Sequence, residues 1–153
     1  MNLEEWKNEF ANKGWTLSVM ESLTAGGCQA LLGSIPGISA VFKGGGVSYT
    51  NEAKMKFGVS KEVLATKGAI SAECAKEMAE AIRQFMGTTW GLSMTGVAGP
   101  TKAEGKPVGT VFIGLSNGET TKVWQEHFSG SRTEIQQQTI TAACRHLMET
   151  SIK

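Results

Sequence analysis

The sequence has few of the residues that form metal sites or disulfide frameworks. Its 153 residues include three cysteines and two histidines. The cysteines lie far apart without a Cys-x-x-Cys pair, and the histidines lack metal-ligand spacing, so neither a zinc site nor a set of disulfides is predicted. We therefore expect no metal or other cofactor, and a reducing cytoplasm is the simplest location.

The sequence also has little excess charge and no long hydrophobic run. The formal net charge is +1, which gives no electrostatic reason to expect binding to DNA, RNA or an anionic membrane surface. No apolar stretch is long enough to span a bilayer, and residues 1–6 show neither the basic nor the apolar part of a signal peptide. The apolar residues permit a homodimer but do not require one.

The chain is long enough to form one domain, residues 1–153, with a hydrophobic core. Hydrophobic residues make up 41% of it and charged residues 19%, as in ordinary globular proteins. The 19 glycines are unusual, and they cluster where predicted segments join. Such clusters are typical of backbone that bends sharply or approaches a ligand.

Predicted helices and strands alternate along the first two thirds of the chain. Capping residues and apolar spacing predict helices over 3–13, 25–32, 51–57, 60–65, 72–86 and 132–149. Strands are predicted over 15–20, 46–50, 90–95, 107–116 and 120–128, the last two forming a hairpin. This order predicts an α/β fold, a three-layer α/β/α domain with a mixed sheet.

Glycine-rich turns accompany three of these strands. They are Glu21–Gly27, the glycine triplet before Tyr49, and Gly96–Pro100. In open α/β sheets the ligand crevice lies at the carboxyl ends of the strands, where backbone N–H groups can bind an anion. We therefore expect one site that these turns share.

The stretch from Ser39 to Lys54 carries three side chains suited to nucleophilic catalysis without histidine. Ser39 supplies a hydroxyl, Tyr49 a phenol and Lys54 an amine. Each has an ordinary interpretation when taken alone. Ser39 could cap a helix, Tyr49 could be a strand aromatic and Lys54 could be a solvated helix residue.

Seven short motifs occur in one order along nearly the whole chain. They are Glu-Ser-x-Thr-x-Gly, Pro-Gly-x-Ser-Ala-x-Phe, Val-x-Tyr-x-Asn-Glu-Ala-Lys, Gly-Ala-Ile-Ser, Thr-Gly-x-Ala-Gly-Pro, Lys-Pro-Val-Gly-Thr-Val and Phe-x-Gly-x-Arg. Together they resemble the CinA C-terminal domain, the nicotinamide mononucleotide (NMN) deamidase family also called PncC.

This resemblance implies a CinA C-terminal domain-like fold and a cytoplasmic amidohydrolase. Its small-molecule nucleotide substrate would be NMN, converted to nicotinate mononucleotide and ammonia without a metal. The catalytic Ser, Tyr and Lys of the family map onto Ser39, Tyr49 and Lys54. Either Tyr49 or Lys54 could take the serine proton.

The turns and the last helix supply the expected substrate-binding residues. Arg132, at the start of that helix, is a natural phosphate partner, because its guanidinium and the helix dipole act together. The full expected set is Glu21, Ser22, Thr24, Gly26, Asn51, Thr95, Gly96, Gly99 and Arg132.

The chain departs from the family pattern on these turns. Leu23 and Ala25 stand where the family usually has Cys and Gly, and residues 101–105 replace a glycine-rich acidic turn. The alternative hypothesis is therefore a catalytically weak or inactive member that binds a pyridine nucleotide or a related ligand.

Overall fold

Six α-helices, one 3₁₀ turn and five strands follow one another along the chain. A computed structural model describes all residues from Met1 to Lys153. The elements are α1 (Leu3–Asn12), β1 (Leu17–Glu21), α2 (Gly27–Gly33), the 3₁₀ turn (Ile38–Ala40), β2 (Phe42–Val47), α3 (Asn51–Phe57), α4 (Lys61–Thr66), α5 (Ala72–Met86), β3 (Trp90–Gly96), β4 (Thr110–Ser116), β5 (Thr121–His127) and α6 (Arg132–Ser151).

The five strands form one mixed sheet in the order β2-β1-β3-β4-β5. Strands β2, β1 and β3 are parallel, β4 runs antiparallel to β3, and β5 runs antiparallel to β4 as the second strand of a hairpin. The carboxyl ends of three neighbouring strands therefore meet at one edge of the sheet. The predicted α/β fold with a mixed sheet is confirmed.

Apolar side chains cover both faces of the sheet. On one face Trp6 of α1, Cys28 of α2 and Leu147 of α6 belong to one buried cluster with strand residues. On the other face Leu64 of α4 and Met78 of α5 form a second cluster. The result is the three-layer arrangement expected from the sequence. No helix has both the length and the apolar character needed to cross a bilayer.

Side-chain caps fix the starts of several helices. The hydroxyl of Ser71 accepts a hydrogen bond from the Cys74 N–H at the start of α5, and Ser131 with Glu134 forms the predicted capping box of α6. The residue types suggest Asn51 as the N-cap of α3, but the cap lies one residue earlier. Thr50, rather than Asn51, accepts from the Ala53 N–H.

Strand β2 lies earlier in the chain than predicted. It runs from Phe42 to Val47, so the glycine triplet is part of the strand and not a turn before it. The triplet is needed for packing: a Cβ on Gly46 would lie 2.2 Å from the ring of Phe57 in α3. A strand of six residues is about 20 Å long, and it separates Ser39 from Tyr49.

Candidate functional site

A cavity of about 350 Å³ lies at the carboxyl ends of the three parallel strands. This volume suits a small-molecule ligand. The residues that line it come from the ends of β1, β2 and β3, from α3, from two turns and from the start of α6. They are Ser22, Leu23, Tyr49, Thr50, Asn51, Lys54, Ala69, Ile70, Thr95, Gly96, Val97, Ala98, Gly99, Thr101, Lys102, Ala103, Glu104 and Arg132.

The amine of Lys54 reaches this cavity from α3. Lys54 is only 1% exposed to solvent. The Nζ atom donates hydrogen bonds to the Ser48 carbonyl at 2.7 Å and to the Ser22 Oγ at 3.1 Å. No carboxylate lies within ion-pair distance of it. Lys54 is thus a buried cation-forming group whose contacts are neutral.

The surroundings of Lys54 favour its neutral form. Burial lowers the pKa of the Lys54 amine, and Coulombic interactions with Cys74 and Glu104 oppose that shift only in part. Burial also raises the pKa of the Cys74 thiol to about 11, so this neighbour stays protonated at neutral pH. A lowered pKa makes the Lys54 amine easier to deprotonate, and the deprotonated amine can accept a proton.

Ser22 lies opposite this amine because β1 and β2 run parallel in register. Glu21 pairs with Val47, so the next residue of each strand, Ser22 and Ser48, leaves the sheet at the same level. The Ser22 N–H donates to the Met94 carbonyl at 3.0 Å, which fixes the serine between β1 and β3. The sequence placed Ser22 among binding residues, and only this strand register shows it as the partner of Lys54.

Arg132 and Tyr49 meet at the mouth of the cavity. The Nη2 atom of Arg132 donates to the Tyr49 hydroxyl at 2.6 Å, and Nη1 donates to the Gly99 carbonyl. Tyr49 is 54% exposed. Arg132 is the first residue of α6, where the helix dipole adds to its positive charge.

The other expected binding residues divide into two groups. Asn51, Thr95, Gly96 and Gly99 line the cavity. The Thr95 hydroxyl donates to the Ala69 carbonyl at 2.8 Å and so ties β3 to the turn before α5. No group of three or more His, Cys, Asp or Glu side chains converges to hold a metal ion.

Glu21, Thr24 and Gly26 lie outside the cavity, contrary to expectation. The buried Glu21 carboxylate accepts from the N–H groups of Cys28 and Gln29, both at 2.9 Å, because the first turn of α2 needs acceptors. The Thr24 hydroxyl is buried without a hydrogen-bond partner. Gly26 is the N-cap of α2 with a φ of 100°. Glu21 ends β1, and Thr24 and Gly26 belong to the connection between β1 and α2.

Ser39 also lies outside the cavity. It is an exposed residue of the 3₁₀ turn before β2, and its carbonyl accepts from the Lys43 Nζ at 2.8 Å. Tyr49 and Lys54 follow the opposite end of the same strand. The expectation that Ser39 shares a recess with them is therefore wrong, because the glycine triplet between them is extended strand.

Comparison with known proteins gives a consistent set of relatives. The family model of the CinA C-terminal domain matches residues 2–151. A competence-damage inducible protein of Bacillus pumilus is 40% identical over 147 residues, which are 95% of this chain and 35% of that protein. One from Listeria monocytogenes is 50% identical over 115 residues, 74% of this chain and 28% of that protein. The chain thus spans about a third of the length of the curated relatives it matches.

Solved structures give the same result for the fold. The competence/damage inducible protein of Agrobacterium tumefaciens is 32% identical with a TM-score of 0.90, over 95% of this chain and 91% of that one. The competence damage-inducible protein A of Klebsiella pneumoniae is 27% identical with a TM-score of 0.92, over all of both chains. The chain belongs to the CinA C-terminal domain family.

Proposed function

We propose that this chain is an amidohydrolase that converts NMN to nicotinate mononucleotide and ammonia. The observation that carries the proposal is the buried pair formed by Ser22 and Lys54, with 3.1 Å between Oγ and Nζ. A serine activated by a lysine is one of the arrangements that cleave amides without histidine. Family membership and a cavity of suitable size support it.

Ser22 is the nucleophile in this proposal, and Lys54 is the general base. In the deprotonated form of Lys54 this hydrogen bond reverses, so that the Ser22 hydroxyl donates to Nζ and the amine takes the serine proton as Oγ attacks the carboxamide carbon. The Ser48 carbonyl continues to hold the amine and also stabilises the ammonium that forms. This assignment replaces the one that the resemblance implied for Ser39.

The remaining proton transfers use the same two side chains. The N–H of Leu23 has no acceptor within the protein, and the residue after a serine nucleophile often supplies an oxyanion donor. The Lys54 ammonium then gives its proton to the amide nitrogen, which leaves as ammonia, and the acyl group stays on Ser22 as an ester. Lys54 next takes a proton from a water molecule whose oxygen attacks the ester, and it returns that proton to the Ser22 Oγ as the nicotinate carboxylate is released.

Arg132 is the group that we assign to the substrate phosphate. Its guanidinium lies at the mouth of the cavity, where its partners are the Tyr49 hydroxyl and the Gly99 carbonyl. Neither partner is charged, so a phosphate competes favourably for the same donors. The amide end of the substrate then points inward toward Ser22, and the positive pyridinium ring makes the carboxamide carbon more electrophilic.

Product analysis tests the proposal. The purified chain is incubated with NMN, and ammonia and nicotinate mononucleotide are quantified together. Equal amounts of the two products are expected. Release of free nicotinamide would instead show cleavage of the glycosidic bond. Tight binding of NMN without ammonia release would favour the alternative, a nucleotide-binding member without catalysis.

A further inference from the structure

The Glu104 side chain connects two of the segments that line the cavity. Its Oε2 accepts from the Ala69 N–H at 3.1 Å and its Oε1 from the Ile70 N–H at 3.0 Å. Gly68 makes this approach possible, since its φ is 85° and a Cβ there would lie 2.4 Å from Oε1. The carboxylate therefore holds residues 101–105 against the turn before α5.

Glu104 is also the only carboxylate among the residues that line the cavity, whereas Lys102 and Arg132 supply cationic groups and Lys54 supplies a buried amine. Its negative charge acts on the interior, because Coulombic interactions couple it to both Lys54 and Cys74. The residue is exposed, and two N–H donors leave part of its acceptor capacity unused. One side of the cavity thus carries a negative charge, that of Glu104.

We propose that Glu104 is a specificity-determining residue that selects substrates whose ring carries a positive charge. The proposal rests on the function assigned above, since NMN joins a cationic pyridinium ring to an anionic phosphate. Arg132 would take the anionic end at the mouth, and the side of the cavity that carries Glu104 would face the cationic ring. Two opposite charges in one cavity orient such a molecule and discriminate against a neutral ring of the same size.

Paired ligands test this selection. NMN and its reduced form share the carboxamide, ribose and phosphate, but the reduced ring is uncharged. Dissociation constants for both are measured in the full chain carrying Ser22→Ala, which prevents turnover. We expect tighter binding of NMN than of its reduced form. Glu104→Gln should lower the ratio of the Kd for reduced NMN to the Kd for NMN about 5- to 30-fold. Glu119→Gln, on the exposed hairpin turn, is the control and should leave the ratio unchanged.

Glu104→Asp separates charge from anchoring. Aspartate keeps the charge but is too short for both backbone contacts, whereas glutamine keeps the length and loses the charge. The proposal expects Glu104→Asp to retain most of the preference for NMN. Equal weakening of both ligands by both variants would overturn it and leave a purely structural role.

Three further results would also overturn the proposal. They are equal binding of NMN and its reduced form when Glu104 is intact, the same ratio of dissociation constants in Glu104→Gln, and no binding of either ligand. Ammonia release by the unsubstituted chain is scored separately. Failure of charge selection is thereby distinguished from failure of the proposed hydrolysis.

Discussion

Lys54 is the residue whose environment is hardest to explain by stability alone. Removing an amine from water costs free energy unless a charged partner compensates, and here both hydrogen-bond acceptors are neutral. A methionine or leucine would fill a buried position of this kind at lower cost. Such a feature is typical of functional sites, where reactivity is maintained at the expense of stability.

The stability of a Lys54→Met variant should depend on pH in a defined direction. Because the pKa of Lys54 is lowered in the folded protein, the unfolded chain binds more protons between that lowered pKa and about 10.4. The wild-type protein therefore gains stability from this group as pH rises through that window. The free energy of unfolding of the variant, relative to wild type, should fall by up to about 1.4 kcal/mol per pH unit.

Urea unfolding at several pH values between 7 and 9.5 measures this difference. Lys61→Met, at an exposed position in the first turn of α4, is the matched control and should show no such trend. If the free energy of unfolding of Lys54→Met relative to wild type stays constant or rises with pH, burial does not lower the pKa of this amine.

Substitution of Arg132 should affect substrates according to their phosphate. Arg132→Gln removes the positive charge at the mouth of the cavity but not the groups around Ser22. We expect the KM for NMN to rise about tenfold or more with a small change in kcat. Nicotinamide riboside, which lacks the phosphate, serves as the control substrate. Equal effects on the two substrates would assign Arg132 to another task.

At the level of the elements, a capping residue followed by apolar residues at helical spacing is enough to predict the bounds of a helix. The predicted helix over 72–86 agrees with α5 because Ser71 and the buried face both act locally. Strand β2 was misplaced because glycine has a low strand propensity and normally marks turns. What allows Gly44–Gly46 to be strand is the approach of distant groups, Phe57 and β1, which a local pattern does not show.

Two glycine substitutions test this explanation of β2. A Cβ on Gly45 would lie 1.9 Å from the Val19 carbonyl oxygen, a backbone atom of β1 that cannot move aside. We expect Gly45→Ala to destabilise the protein by about 3 kcal/mol or more. Gly33, at the end of α2, has no atom within 4 Å of the same position. Gly33→Ala should be neutral or stabilising by up to about 1 kcal/mol in denaturant unfolding. Similar values for the two variants would contradict the explanation.

At the level of the whole molecule, the sheet brings together residues that are far apart in sequence. The sequence could predict that β1, β2 and β3 end near one another, because this follows from an α/β order. It could not show that Glu104 binds Ala69 and Ile70, since that contact depends on how two turns meet. It also could not show that Ser22, and not Ser39, lies beside Lys54, because this depends on where β2 begins.

Ligand binding should therefore stabilise the domain as one unit. Residues from three strand ends, α3, two turns and α6 line the same cavity. In the Ser22→Ala variant, NMN at about 100 times its Kd should add about 2.7 kcal/mol to the free energy of unfolding. Calorimetry should show a single transition that moves up by about 5–10 °C. Two separate transitions, or none that moves, would contradict a shared site.

One comparison decides which serine attacks the amide. Ammonia release from NMN is measured side by side for the wild-type chain, Ser22→Ala and Ser39→Ala. Loss of the Lys54-bound hydroxyl should lower kcat about 10³-fold or more, whereas Ser39→Ala should stay within about threefold of wild type. A fully active Ser22→Ala variant, or an inactive Ser39→Ala variant, would show that the pair of Ser22 and Lys54 is not the catalytic centre.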